Sequence, residues 1–372
     1  MRILLTTDTI GGVWTFTRDL SESLLQHGHD VCLVSFGRAP FPAQHAWMER
    51  VREQWWGHFT YLASDAPLEW MQTNNRCWSE GNELMQEAVD HFHPDALHLN
   101  QFCFGAVAVD VPKIVTAHSD VLSWATDCRS NGLESSKWLS TYCDLVMRGL
   151  QGADVVVAPS AWMLEALQKN FPTATAPNRV IYNGRSSQPS TGQQRKLQAV
   201  TLGRLWDEAK GIDSLLKVRW PLPMFIAGEQ NVNTASAPRT TTGNVHWLGR
   251  LDDNEVTSLL QSSSIYIAPS RYEPFGLAPL EAALCGCALV LRDLPSFREI
   301  WADAALYFSS ERELEDSVDT LHNDDAYLNI MQQAAAQRAE RYSVERMSAA
   351  YLSLYREARD TRKPARLETH AA

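Results

Sequence analysis

Twelve short apolar runs punctuate the chain, and the stretches between them have helical character: RILLTTD, DVCLVSFG, TYLAS, DALHLN, KIVTAH and DVVVAPS, then QAVTLGR, PMFIAGE, NVHWLGR, SIYIAPS, CALVLRD and AALYF. The runs are apolar throughout rather than alternating, which is the pattern of strands buried on both faces. Strands of that kind separated by helices predict an α/β fold built on parallel sheets with helices on either side. The pattern breaks at Asn183–Lys196, NGRSSQPSTGQQRK, where Ser, Gln, Gly and Pro crowd together without periodicity. This stretch reads as a linker between two doubly wound domains, whose ligand crevices open at the carboxyl ends of their strands. The expected division is residues 1–183, a linker at 184–196, a second domain at 197–342, a closing helix at 343–358 that can pack back on the first domain, and a tail at 359–372.

With 372 residues the chain has enough material for two cores. Lys and Arg total 33 against 44 Asp and Glu, a net charge of −11, so neither nucleic acid nor an anionic membrane is the expected partner. Any phosphate site must therefore be local. Seven scattered cysteines do not make a disulfide framework and fit a reducing compartment. There is no run of eighteen apolar residues, and MRILLTTDTIGGVW leads straight into a strand, so the expectation is a soluble, cytoplasmic protein.

The chemistry concentrates in SRYEPFGLAPLEAALCGC, Ser270–Cys287, which follows an apolar strand run. Pro279 suits the first turn of a helix and Gly286 its end, predicting a helix from Pro279 to Cys285 with Glu281 in its first turn. Gly276 allows close backbone approach to a ligand, and the free N–H groups of the helix start can meet an anion. The two carboxylates, Glu273 and Glu281, suit sugar hydroxyls better than phosphate. A ligand carrying both would account for the whole stretch. Taken singly, Glu281 can equally complement the helix dipole and Glu273 can be a solvated loop acid.

Three further places fit the same ligand. Gly11 and Gly12 lie between the first strand and a helix, where small residues admit a phosphate or sugar, although a simple tight turn reads equally well. The second domain's first strand runs into TLGRLWDEAKG, whose Arg204 and Lys210 can meet a diphosphate from one side or can be ordinary surface charge. His118 ends a first-domain strand, a position that favours the crevice over the core.

The set GGVW, TAHSD, VVVAPSAWMLEAL, VIYNGR, LGRLWDEAKG and EPFGLAPLEAALCGCALV, in this order, resembles the retaining glycosyltransferases of family four. The resemblance covers Met1 to about Tyr355, and its most specific element is the pair of acids at Glu273 and Glu281. It implies the two-Rossmann-domain, B-type fold and a nucleoside-diphosphate sugar as donor. Arg204 and Lys210 would bind the diphosphate, Glu281 the ribose, and Glu273 with the backbone of Phe275, Gly276 and Leu277 the transferred sugar. Gly11 and Gly12 would belong to the donor-binding set, with Gly12 approaching the diphosphate from the first domain, and His118 would sit near the reacting carbon. The chain has no Asp-x-Asp pair, so neither a metal nor another cofactor is expected. The acceptor, whether small molecule, glycan or lipid-linked, is left open, and no basic amphipathic helix supports membrane association. A sugar-nucleotide epimerase or phosphorylase on the same plan is the runner-up, followed by a noncatalytic nucleotide-sugar-binding protein.

Overall fold

The computed structural model describes residues 1–130, 132–172, 176–186, 194–229 and 240–362. One sheet contains β1 (Arg2–Asp8), β2 (Asp30–Phe36), β3 (Phe59–Ala63), β4 (Ala96–Leu99), β5 (Lys113–Thr116), β6 (Val155–Ala158) and β7 (Asn178–Val180). Its spatial order is β3, β2, β1, β4, β5, β6, β7, and every pair is parallel. The other contains β8 (Lys196–Leu202), β9 (Met224–Ala227), β10 (Thr240–Thr242), β11 (Val245–Gly249), β12 (Ser263–Ala268), β13 (Ala288–Arg292) and β14 (Leu306–Phe308), in the order β10, β11, β9, β8, β12, β13, β14.

Both sheets are doubly wound, and each reverses its strand order at one place, between β1 and β4 in the first and between β8 and β12 in the second. Loops leaving the carboxyl ends of those strands diverge and open a crevice. Both faces of each sheet are covered, which explains the uninterrupted apolar runs. Along β1, Leu4 joins the core on one face while Ile3 and Leu5 join the core on the other. In the second sheet, Tyr266 and Ala268 of β12 face one core and Ile265 and Ile267 the opposite one.

All twelve runs form strands. Two strands went unread. The three-residue β7 has too few side chains for a pattern, and β10 is an antiparallel edge on β11, an exception to the expected parallel pairing. Helix starts are marked by side chains that accept from the free N–H groups, with Asp120, Ser136, Ser160, Asp252 and Ser310 each bonding a backbone N–H two or three residues on.

Two helices differ in their bounds from the sequence reading. The helix expected at Pro279–Cys285 runs from Leu277 to Leu284. Gly276, at φ 92, turns the chain early, and Pro279 falls where its missing N–H costs nothing. Glu281 is consequently the fifth residue of the helix rather than part of its first turn. The final helix, Val344–Arg362, takes in four residues assigned to the tail, because Arg359 lies 3.9 Å from Asp95 and Arg362 donates to Asp154 at 2.9 Å. Residues 363–372 of the tail and 187–193 of the linker lie outside the described residues. The final helix packs on the first sheet, with Tyr351 and Tyr355 fully buried there.

Candidate active site

A cleft of about 720 Å³ separates the two sheets at their carboxyl ends, lined by the loops after β1, β2, β8, β9 and β11. Arg18, Arg38, Arg50, Arg185, Arg204 and Arg250 line it against four carboxylates, Asp19, Glu22, Glu229 and Asp253. A chain of net charge −11 thus concentrates cations where its two halves meet. Positive charge focused in a cleft attracts anionic ligands whatever the overall charge.

From the first domain, Gly11 precedes the helix Gly12–Gln26 with φ 75, a conformation that side chains other than glycine adopt at a cost. A Cβ there would stand 3.2 Å from Arg204 Nη1, so glycine lets the two halves close on each other. Gly12 faces Leu277 instead, at 3.6 Å from an added Cβ. Gly11, rather than the Gly12 expected to approach the diphosphate, is thus the glycine brought to the cation, because Gly12 opens the helix and turns toward Leu277.

From the second domain, Arg204 leaves the end of β8 and donates from Nη2 to Asp207 at 2.8 Å. Asp207 also accepts from Ala209 N and from Trp124 Nε1 of the first domain, so the guanidinium is aimed by an anchored acid. Lys210 folds back and donates to Glu273 Oε2 at 2.5 Å. Both line a small recess under Leu202, which also borders the large cleft. Phe275 is buried in the second core, with its ring edge-on to Tyr342. Leu277 packs on the cores of both domains.

His118 ends the strand run of β5 and belongs to the same seam. Two residues on, Asp120 N donates to the Tyr272 hydroxyl at 3.3 Å, and Tyr272 immediately precedes Glu273. Ser160 of the first domain donates to Pro274 O at 2.6 Å, and Glu299 of the second accepts from Ala161 N and Trp162 N. His118 and Glu273 are therefore carried by loops that touch. His118 as a residue is half-buried, and burial pulls the pKa of its ring from 6.5 to about 3, so it is neutral at physiological pH.

Glu281 is placed differently from its expected surroundings. Its carboxylate lies 2.9 Å from Arg185 Nε, and Arg185 also bonds Asp19 on the first domain's leading helix. Burial raises the pKa of Glu281, and the Arg185 cation opposes that shift. Arg185 itself would be pulled down by burial, but Glu281 and Asp19 more than offset this and hold it charged. Arg18 adds a second bridge to Asp253 across the cleft. Arg185 ends the VIYNGR motif, but nothing in the sequence set it apart. Asp8, at the end of β1, was also missed. Burial lifts its pKa to about 6, against a bond from Ile10 N and the field of Arg204.

The two crevices facing each other, with paired cations and acids at their strand ends, define the architecture of the B-type, two-Rossmann-domain glycosyltransferases. The sucrose-phosphate synthase of Thermosynechococcus elongatus superposes with a TM-score of 0.75 at 16% identity, covering 97% of this chain and 100% of that one. An Anabaena protein, HepE, solved with UDP and glucose, gives 0.68 at 18% identity over 95% and 98%. Residues 10–187 match the model for "Glycosyltransferase Family 4" and residues 185–338 that for "Glycosyl transferases group 1". The glycogen synthase of Mycobacterium tuberculosis is 27% identical over 335 residues, 78% of this chain and 76% of that protein. The chain belongs to the family 4 glycosyltransferases, and it is an enzyme of that class.

Proposed function

We propose that the protein moves a sugar from a nucleoside-diphosphate donor to an acceptor hydroxyl, with retention of anomeric configuration and without a metal. The observation that carries this reading is that the loop after β8 brings Arg204 to Gly11 of the first domain and Lys210 to Glu273, in a recess that shares Leu202 with the cleft. Breaking the bond between the anomeric carbon and the diphosphate leaves negative charge on a phosphate oxygen. Cations already fixed by Asp207 and Glu273 stabilise that charge without reorganising, which lowers the barrier more than it tightens ground-state binding. Glu273, beside the same lysine, suits a sugar whose ring carbon becomes positive.

Glu281 is given to the ribose hydroxyls. His118 is given to the transferred sugar, where a neutral imidazole offers hydrogen bonding rather than charge. A leaving phosphate oxygen takes the proton of the acceptor hydroxyl, which attacks on the face the nucleotide leaves. No side chain is then needed as nucleophile.

Purified protein is incubated with a panel of nucleotide-sugars, beginning with UDP-glucose because HepE was solved with UDP and glucose, with and without candidate acceptors. Release of nucleoside diphosphate with an α-linked product from an α-linked donor is the expected result. An inverted product, or no release with any donor, would overturn it.

A further inference from the structure

The amide of Asn100, at the carboxyl end of β4, stands between two imidazoles, and its orientation is fixed from behind. Asn100 Nδ2 donates to Thr6 O at 2.6 Å and to Thr17 Oγ1 at 3.0 Å. Thr6 O can only accept. The Thr17 hydroxyl spends its proton on Val13 O at 2.8 Å, leaving a lone pair for the amide. The backbone is tied as well, because Asn100 N donates to Thr6 Oγ1 at 2.8 Å. The NH₂ end is thereby assigned, and Oδ1 must point at the histidines.

An amide oxygen accepts but cannot donate. His118 Nε2 lies 2.8 Å from Oδ1 and His98 Nε2 lies 3.2 Å from it, so each imidazole presents a proton on Nε2. For His98 the other ring nitrogen is compatible with the choice: Nδ1 lies 2.5 Å from the Tyr355 hydroxyl, which can donate to an unprotonated nitrogen. Thr116 Oγ1, 3.0 Å from His98 Nε2, takes a share of the same proton. The ring of Phe16 stands edge-on to His118 with centroids 4.6 Å apart, limiting rotation. No described residue donates to His118 Nδ1.

Resting on the assignment of His118 to the transferred sugar, we propose that Asn100 is a positioning residue. It locks His118 as the neutral Nε2–H tautomer and so leaves Nδ1 as an acceptor for a hydroxyl of that sugar. His98 and Tyr355 form the anchored end of the same chain of bonds, tying the orientation of His118 to the last helix. Residues held by such a chain keep an acceptor within the narrow limits that reaction geometry demands. A free imidazole would divide itself between two tautomers and lose part of its time in the wrong one.

Nitrogen-15 NMR of histidine-labelled protein at neutral pH reads the tautomers directly, with His118→Gln and His98→Gln used to assign the signals. The expected spectrum has a protonated Nε2 and an unprotonated Nδ1 for both rings. A proton on Nδ1 of His118, or on both nitrogens, overturns the proposal whether or not the enzyme has been given an acceptor. Asn100→Ala should release His118 into mixed tautomers and lower kcat about tenfold to a hundredfold while KM for the donor changes little. Unchanged tautomer and unchanged kcat in that variant also overturn it. If Asn100→Ala does not fold, the isosteric Asn100→Asp replaces it. Its carboxylate should charge the His118 ring, giving two protonated nitrogens and a lower kcat, and a neutral ring with normal kcat refutes the role. Failure of the functional reading looks different, because His118→Gln would then turn over normally while the wild-type tautomer stands.

Discussion

Lys210 and Glu273, 63 residues apart in sequence, meet in an ion pair of 2.5 Å between the loops that follow β8 and β12. Side-chain exposures of 20% and 17% make this a partly desolvated pair, whereas Arg204, in its pair with Asp207, is 37% exposed. The lysine is thus already oriented by the acid assigned to the sugar. Removing it does two things at once: it takes away a charge and leaves a carboxylate uncompensated.

Lys210→Ala and Arg204→Ala should each lower turnover about a hundredfold, the size of losing one preorganised contact to a developing anion, about 3 kcal/mol. Their stabilities should part. Arg204→Ala should melt closer to the parent, since the guanidinium is the more exposed of the two cations and Asp207 keeps the donors Ala209 N and Trp124 Nε1. Lys210→Ala should melt lower, and adding Glu273→Gln should restore part of the loss. Kinetics and thermal melts on the three proteins check this, and normal turnover in both single variants would remove these cations from the site.

The two glutamates should separate kinetically. If Glu281 meets the ribose as proposed, Glu281→Gln removes binding that is equal in ground and transition states, so KM for the donor should rise and free nucleoside diphosphate should bind more weakly. Its neighbour Arg185 keeps Asp19 as a partner, so the fold should survive the change. Glu273→Gln should mainly lower kcat and leave nucleotide affinity nearly unchanged. Calorimetry and steady-state kinetics on both variants decide it, and equal loss of nucleotide affinity in the two would break the assignment of one carboxylate to each sugar.

The strands were legible because burial on both faces forces uninterrupted Val, Ile and Leu, as in VVVA of β6, whatever the surroundings. Glycines and charges just past β1, β8 and β12 were legible as candidate site residues because open parallel sheets bind ligands at those ends. Partners were not. Arg185 is one arginine in a Ser-rich stretch until the fold places Asp19 and Glu281 on either side of it, 166 and 96 positions away. Asn100 carries the same signal as His118, a polar residue closing an apolar strand, and could have been found by that rule. Its bond to His118 joins different strands and has no sequence signature. The start of the helix after Gly276 was misplaced because Pro279 was read as its first residue, whereas proline is tolerated throughout the first turn.

Activity should survive exhaustive chelation of divalent ions. The expectation rests on the sequence, which lacks an Asp-x-Asp pair to bridge a metal to a diphosphate, and on the arginine and lysine that can take the metal's electrostatic role. Nucleoside diphosphate release is measured after treatment with EDTA and buffer exchange. Activity that returns only on adding magnesium or manganese would contradict the proposed mechanism.

Glu69 should set part of the pH dependence of stability. It is buried at 4% exposure, accepts from Phe102 N at 2.9 Å, and has the thiols of Cys77 and Cys103 at 4.0 and 3.9 Å from its other oxygen. Burial raises its pKa from 4.5 to about 7. Below pH 4.5 the carboxyl is protonated in both folded and unfolded chains. Between 4.5 and 7 the folded protein keeps a proton that the unfolded chain has lost, so stability from this group falls as pH rises, and the full cost is present above 7. Glu69→Gln never ionises and can still accept from Phe102 N. Its stability relative to wild type should therefore grow as pH rises from 5 to 8, approaching at most about 3 kcal/mol for a shift of this size. Asp8, raised in the same direction to about 6, is present in both proteins and largely cancels from the comparison. Denaturant melts at several pH values measure the difference, and a gap that stays constant or narrows toward pH 8 would show that Glu69 is ionised in the folded protein at no cost.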